Sequence, residues 1–125
     1  MASAASRPHD RPAPRTGAAI RTVLPLGDSI TFGDGSSDGA GYRSRLFARA
    51  LAAGKSLSFV GSHRDGPSSV DGEPFCAAHE AHPGCTIGGG SVLGVLDMVE
   101  LWLRTSPADF VLLLIGTNDL NFGHD

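Results

Sequence analysis

Two apolar runs, each followed at once by small polar residues, constrain the fold of this chain more than any other feature. Residues 109–115 are apolar at six consecutive positions after the initial aspartate, so neither face of such a strand is polar. A shorter apolar run, Val23-Leu24-Pro25-Leu26, lies in residues 21–28. Strands that are apolar on both faces are typical of a parallel sheet covered by helices, so the two runs predict an α/β domain.

Two amphipathic helices are predicted between these strands. Apolar residues recur at helical spacing over residues 42–51, and the arginines of this segment are predicted on its polar face: Arg43, Arg45 and Arg49. Gly54 is a natural C-terminal stop for this helix. A second apolar stripe over residues 92–103 predicts a helix that ends near Ser106-Pro107.

The remaining segments complete an alternating pattern. A short strand is predicted over residues 56–61, and the polar, Gly- and Pro-containing segment 62–90 is predicted to be a long connection. The order strand, helix, strand, helix, strand implies right-handed βαβ crossovers. The sequence therefore predicts a three-layer sandwich with a doubly wound, flavodoxin-like parallel sheet.

Composition and charge set the boundaries of this domain and exclude some partners. Residues 1–20 are rich in Arg, Ala and Pro and lack periodic apolar positions, which predicts a disordered tail before a domain over residues 21–125. The net charge of −3 divides into +3 for residues 1–21 and −6 for the rest, which argues against a nucleic-acid surface on the folded part. No apolar run has the length of a membrane span or resembles a secretory signal, so neither is predicted, and the compartment stays open.

Each apolar run ends in a motif that offers a chemically useful side chain. Gly27-Asp28-Ser29-Ile30-Thr31 provides a hydroxyl, and Gly116-Thr117-Asn118-Asp119 provides a side-chain amide. Parallel strands would bring both motifs to one sheet edge, where acyl transfer needs a nucleophile and an oxyanion donor. Taken singly, each motif is also compatible with an ordinary turn.

Three blocks in order resemble the GDSL, or SGNH, hydrolase family. The two motifs above are similar to its first and third blocks, and residues 79–87 (His-Glu-Ala-His-Pro-Gly-Cys-Thr-Ile) are similar to its second. Gly41-Tyr42-Arg43 at the start of the first predicted helix also fits the family, and the resemblance spans residues 22–121. It implies the SGNH hydrolase fold, seen here as its N-terminal portion with the C-terminal portion missing.

The resemblance also implies roles for individual residues. Ser29 would be the nucleophile and would donate its backbone N–H to the oxyanion hole, which Gly84 N–H and the Asn118 side chain would complete. Asp28 and Asp119 would orient these loops. The implied reaction is hydrolysis of a carboxylic ester through an acyl-serine intermediate, on acetylated sugars, short acyl esters or lysolipids, with no cofactor.

The general base that the resemblance implies is a histidine in an Asp-x-x-His block downstream of the third block. The sequence contains no such block, and His124-Asp125 has the wrong order and spacing, so no general base is found. A truncated or degenerate remnant that at most binds ligand is therefore an alternative. Strand 109–115 is predicted to be an exposed edge through which the chain self-associates.

A metal or redox function for the cysteines and histidines of residues 76–85 is a further alternative. These residues recur every third position: Cys76, His79, His82 and Cys85. Zinc sites usually combine two close ligand pairs across a longer loop, so a zinc-binding module, a disulfide and free thiols all stay open, and no metal site is predicted. Residues 34–39 imitate the first half of a calcium loop, but Arg45 stands where the bidentate glutamate belongs.

Overall fold

The computed structural model describes residues 20–121. The strands are β1 (Arg21–Gly27), β2 (Leu57–Phe59), β3 (His63–Arg64), β4 (Ser69–Val70), β5 (Glu73–Pro74), β6 (Ala78–Ala81) and β7 (Phe110–Leu114). The helices are α1 (Ser29–Phe32), α2 (Tyr42–Ala52), α3 (Val95–Thr105) and α4 (Thr117–Asn121). The tail predicted over residues 1–20 lies outside the described residues except for its last residue, and so does His124-Asp125.

Strand β1 is the axis of the main sheet. It pairs in parallel with β2, β6 and β7, and β3 extends the sheet by pairing antiparallel with β6. On one side, β2 pairs with residues 21–23 of β1 and β6 pairs with residues 26–27. Strand β7 pairs with residues 23–27. The parallel sheet predicted from the apolar runs is confirmed.

Pro25 lies in the middle of β1, although proline lacks the N–H that a central strand donates. Val23 O accepts a hydrogen bond from Val60 N–H (2.9 Å), and Gly27 O accepts one from His82 N–H (2.9 Å). Alternation gives Pro25 the same edge of β1 as Val23 and Gly27. Pro25 therefore lies where β1 changes its partner from β2 to β6, and the missing N–H costs no pairing there.

The two longer helices cover opposite faces of β1. One buried cluster joins Val23 and Phe59 of the sheet to Phe47 of α2 and to Phe75. The other joins Leu26 to residues of α3, including Val95 and Trp102, and to Cys85. Successive residues of a strand face opposite sides, so this division confirms the doubly wound arrangement.

Strand β6 lies inside segment 62–90, which the sequence predicts to be a connection, and that prediction is wrong here. All four of its residues are buried. His79 bonds to the Asp65 carboxylate and Glu80 accepts from Ser62, so hydrogen bonds satisfy the two polar side chains, while the other two residues are buried alanines. A strand of this kind has no apolar run that a hydropathy pattern reveals.

The predicted position of Arg43 on a polar face of α2 is also wrong, because this side chain is 0% exposed. Its guanidinium donates to four backbone carbonyls: Thr31 (3.0 Å), Phe32 (2.9 Å), Asp65 (2.8 Å) and Ala77 (2.8 Å). Burial lowers the pKa of this guanidinium. Arg43 thus ties α1, which follows the first block, to the segment that leads into β6.

The start of α3 differs slightly from the prediction. The helix begins at Val95 rather than near residue 92. Thr86 N–H donates to Leu93 O (2.9 Å), and Val95 N–H donates to Thr86 O (2.8 Å). These bonds hold residues 93–94 extended beside the second block, so the helix starts only after them. No helix within residues 20–121 has the length and apolar character needed to cross a membrane.

Candidate active site

The C-terminal ends of three parallel strands lie side by side in the sheet. Gly27 of β1 is in register with Ala81 of β6 and with Leu114 of β7. Ser29 follows two residues after Gly27, Gly84 three after Ala81, and Asn118 four after Leu114. The three blocks therefore leave the sheet at the same edge, the edge at which open α/β sheets bind their ligands.

The first block turns sharply from β1 into the single-turn helix α1. Asp28 is its N-cap, and one of its carboxylate oxygens accepts from Ile30 N–H (2.9 Å). The other oxygen is buried and has no partner within residues 20–121. Ser29 is the first helical residue and is partly exposed, and neither its hydroxyl nor its N–H is hydrogen-bonded within that range.

Gly27 accommodates this turn because it has no side chain. A Cβ at this position would lie 2.4 Å from Leu114 O and 2.6 Å from the Thr31 hydroxyl oxygen. Both distances are far below van der Waals contact. The close approach of β7 and α1 to the end of β1 therefore requires glycine.

The second block forms a turn after β6. Cys85 N–H donates to His82 O (3.0 Å), with Pro83 and Gly84 between them. Gly84 has φ +84°, and proline followed by a positive-φ glycine is the pattern of a type II turn. A Cβ on Gly84 would meet no atom within 4 Å, so this face of the turn is open. The Gly84 N–H has no partner within residues 20–121.

The third block is hydrogen-bonded to the second across 32 or 33 residues of sequence. Asn118 Nδ2 donates to Cys85 O (2.9 Å), and both carboxylate oxygens of Asp119 accept from Ile87 N–H (3.1 Å each). A primary amide has two N–H donors, so Asn118 keeps one beyond this contact. These bonds fix the second and third blocks relative to each other.

The pKa of the Cys85 thiol responds to the two carboxylates of the neighbouring motif blocks. It is buried and contacts Thr86 O (Sγ–O 3.5 Å). Burial raises its pKa, and the negative charges of Asp28 and Asp119 raise it further. The two carboxylates that the sequence assigns to orientation thus act on one buried group.

The structure tests the disulfide and the zinc site that the sequence left open for residues 76–85. Cys76 and Cys85 are both free thiols, so no disulfide joins them. Within residues 20–121, the group of side chains close enough to share a metal ion includes only His82 of the four residues considered for zinc. The zinc module predicted as an alternative over residues 76–85 is therefore wrong in its ligand set.

The loop that imitates a calcium site is satisfied by its own hydrogen bonds. The Asp38 carboxylate accepts from Ser44 Oγ (2.6 Å) and from Ala40 N–H (2.9 Å). The bond from Ser44, followed by that from Ala40, lowers the pKa of Asp38. Asp38 therefore caps the approach to α2.

The contacts of the two histidines in the second block are not predictable from the motif. His79 is fully buried, with Nε2 2.8 Å from an Asp65 oxygen and with Nδ1 accepting from Ala81 N–H (3.0 Å). His82 is half-buried, stacks on Trp102 at 4.7 Å and 9°, and bonds to buried Glu80 (2.7 Å).

Comparison with known proteins finds similarity to esterases. No family model matches the chain. The chain is 34% identical, over 90% of its own length, to a multidomain esterase of Ruminococcus flavefaciens, of which it covers 16%. The chain thus spans a small part of that relative.

Solved structures agree with this relationship. The chain is similar to a family 3 carbohydrate esterase of Clostridium thermocellum, with a TM-score of 0.71 and 37% identity. It is also similar to a family 3 carbohydrate esterase from Talaromyces cellulolyticus and to a serine-to-alanine mutant of an acetyl esterase with acetate ion, each with a TM-score of 0.60 and with identities of 28% and 27%. The matches cover 84–85% of this chain and 48% of each solved chain. The SGNH resemblance and the α/β fold class are confirmed.

Proposed function

We propose that this chain, a relative of the SGNH hydrolases in sequence and in fold, forms the part of a serine esterase that holds the nucleophile and the oxyanion donors. The main support is the register that sets Gly27 beside Ala81 and Leu114, because it brings all three motif blocks to one edge. The N–H groups of Ser29 and Gly84, which have no hydrogen-bond partner within residues 20–121, are a second support.

In the proposed reaction, Ser29 Oγ attacks the ester carbonyl carbon. The carbonyl oxygen becomes an oxyanion that accepts from Ser29 N–H, Gly84 N–H and the second N–H of Asn118. Collapse of this intermediate expels the alcohol and leaves an acyl-serine, which water then hydrolyses. Losing one preorganised donor typically reduces kcat by about 10²–10³.

The proton of Ser29 needs an acceptor during attack. The SGNH resemblance assigns this role to a histidine in an Asp-x-x-His block, and residues 1–125 contain no such block. The hydroxyl alone is a weak nucleophile at neutral pH. A base from outside these residues would have to reach Ser29 at the exposed edge where the three blocks meet.

The substrate class that we propose is an acetyl ester of a carbohydrate. The related structures are named carbohydrate esterases and an acetyl esterase, and one of them holds acetate. A Cβ on Gly84 would meet no atom within 4 Å, so the turn of the second block has open space on this face. A turn without Cβ also lets the backbone N–H approach the acyl oxygen closely.

The test measures hydrolysis of a chromogenic acetyl ester and release of acetate from an acetylated xylo-oligosaccharide. It uses the present chain and any longer product of the same reading frame. In a product that also supplies a base, Ser29→Ala removes the nucleophile, and we expect it to reduce kcat by about 10⁴–10⁶. Ser37→Ala is the matched control, because Ser37 lies exposed in the following loop and its hydroxyl has no partner within residues 20–121.

The outcomes separate the enzyme from the alternatives. Turnover that survives Ser29→Ala would contradict the assignment of the nucleophile. Absence of turnover in every product of the reading frame, with acetate still bound, would identify a non-catalytic ligand-binding remnant. Activity on the chromogenic ester but not on the oligosaccharide would contradict the proposed substrate class alone.

A further inference from the structure

Three side chains that the proposed esterase reaction does not use converge beside β6. They are His63 of β3, Glu80 of β6, and His82 just after it. One ligand atom of each lies within 4.8 Å of those of the other two. Pairing of β3 with β6 brings His63 close to this segment, and its ring packs against that of His82 at 5.0 Å. Glu80 and His82 share one face because they are two residues apart on an extended segment.

The Glu80 carboxylate is the unusual member of this group, because it is 0% exposed. It accepts from Ser62 N–H (3.2 Å) and Ser62 Oγ (2.8 Å), and it bonds to His82 Nε2 (2.7 Å). Within residues 20–121, no lysine or arginine pairs with it. A buried carboxylate is costly unless a cation or several donors compensate its charge.

The neighbouring His79 is excluded as a ligand by its own hydrogen bonds. Its Nδ1 accepts from Ala81 N–H, so Nε2 holds the proton that is donated to Asp65. No lone pair is left for a metal ion. By contrast, His63 is exposed, and its ring packs edge-on against His82 at 5.0 Å. An exposed side chain can move the short distance that coordination requires.

We propose that His63, Glu80 and His82 together bind one divalent transition-metal ion of the zinc type. Two imidazoles and one carboxylate are a known zinc donor set, in which a solvent molecule takes the fourth position. Atoms bound to one zinc ion lie about 3.4 Å apart, so a group already within 4.8 Å needs only modest closure. Ser62 holds the carboxylate in place, as hydrogen-bonded partners of metal ligands commonly do.

Such an ion would connect two parts of the chain that are distant in sequence. His63 belongs to the strand at the rim of the sheet, whereas His82 begins the turn that contains Gly84. The ion would lie between His82 and Glu80 and would replace the direct hydrogen bond between them. Because the proposed esterase reaction does not use these side chains, metal binding can be measured without a substrate.

The chain provides its own reporter of this site. Trp102 is the only tryptophan, and its ring is stacked on His82. A paramagnetic ion such as Co²⁺ bound to His82 should quench Trp102 fluorescence until one equivalent is bound. Zn²⁺ should compete with Co²⁺, whereas Mg²⁺ and Ca²⁺ should not, because they prefer oxygen ligands.

The decisive comparison uses His63→Gln with Arg64→Ala as its matched control. Both positions are exposed and adjacent in β3, so both variants should keep the circular dichroism of the parent chain. We expect His63→Gln to weaken Co²⁺ and Zn²⁺ binding at least tenfold, and Arg64→Ala to leave it unchanged. Equilibrium dialysis with zinc measures stoichiometry beside the fluorescence titration.

Several results would overturn the proposal. Equal affinity in the parent and His63→Gln, or stoichiometric zinc without quenching by Co²⁺, would place any bound ion elsewhere. Competition by Mg²⁺ at the same concentration would contradict the zinc type. Unfolding caused by His63→Gln would contradict the exposed position on which the proposal depends.

Discussion

Strands β1 and β7 have similar apolar sequences and pair with each other residue by residue, but only one of them is buried. Leu26 of β1 is 1% exposed, whereas its register partner Leu113 of β7 is 55% exposed. The five residues of β7 are all between 36% and 55% exposed. Apolar character therefore does not by itself produce burial.

The difference arises from what surrounds each strand. Strand β1 has partners along both edges, and apolar clusters containing α2 and α3 cover its two faces. Within residues 20–121, β7 pairs only with β1. Its sequence is that of a central strand, but its surroundings are those of an edge.

The largest effect should come from Arg43, which links α1 to the segment that leads into β6. Replacing it with alanine removes the donors of four buried or partly buried carbonyl contacts. Because an unsatisfied buried acceptor costs about 1–3 kcal/mol, we expect Arg43→Ala to lower the free energy of unfolding by at least about 3 kcal/mol. Urea unfolding followed by circular dichroism measures this loss.

Arg45→Ala is the control for that measurement. Arg45 is exposed on the same helix, so its removal should change the free energy of unfolding by less than about 0.5 kcal/mol. Equal effects of the two substitutions would mean that Arg43 is not the buried link described above.

The register pair Leu26 and Leu113 tests the comparison directly. Leu26→Ala leaves a cavity against α3 and should cost about 2–5 kcal/mol of unfolding free energy. Leu113→Ala removes a side chain that is already half in water and should cost less than about 1 kcal/mol. The same urea titrations at low protein concentration give both values. Similar costs would show that another surface covers β7 in solution.

Self-association through residues 109–115 is a third prediction. Leu113→Lys places a charge on the exposed strand and should weaken association at least about tenfold, which corresponds to 1.4 kcal/mol. Sedimentation velocity over a range of protein concentrations measures the change. Leu96→Lys is the control, because Leu96 is 69% exposed on α3, away from the strand edge. A monomeric parent chain would refute the prediction. Equal weakening of self-association by Leu113→Lys and Leu96→Lys would mean that association does not depend on the strand edge.

The smallest effect concerns the hydrogen bonds between Asp109, just before β7, and Thr22 of β1. The Asp109 carboxylate accepts from Thr22 N–H (2.9 Å) and Thr22 Oγ (3.2 Å), and the N–H bond is the main cause that lowers its pKa. A lowered folded-state pKa stabilises the fold above the unfolded value of 3.8 and loses that stabilisation as the pH falls through the folded value.

Asp109→Asn should remove this pH-dependent contribution. We expect the parent to lose slightly more stability than the variant as the pH falls from 5 toward 3, measured as the shift in thermal midpoint. The effect is small because the carboxylate is exposed to solvent. If the thermal midpoints of the two proteins fall equally with pH, the Asp109–Thr22 hydrogen bonds do not form in solution.

The amino-acid sequence was sufficient for the parts of this protein that depend on local pattern. Apolar runs locate β1 and β7, helical spacing locates α2 and α3, and the motif blocks indicate the SGNH family. These features follow from neighbouring residues alone. The roles of Ser29, Gly84 and Asn118 at the proposed active site remain predictions that the experiments above address.

Only the tertiary structure decided the features that depend on partners far away in the chain. Strand β6 is buried because Asp65 and Ser62 satisfy His79 and Glu80, and no local pattern records such bonds. Arg43 is buried because four carbonyls from separate segments surround it, although a charged residue at that spacing predicts a polar face. Burial depends on which groups meet, and that is fixed by the fold as a whole rather than by the hydropathy of a residue and its neighbours.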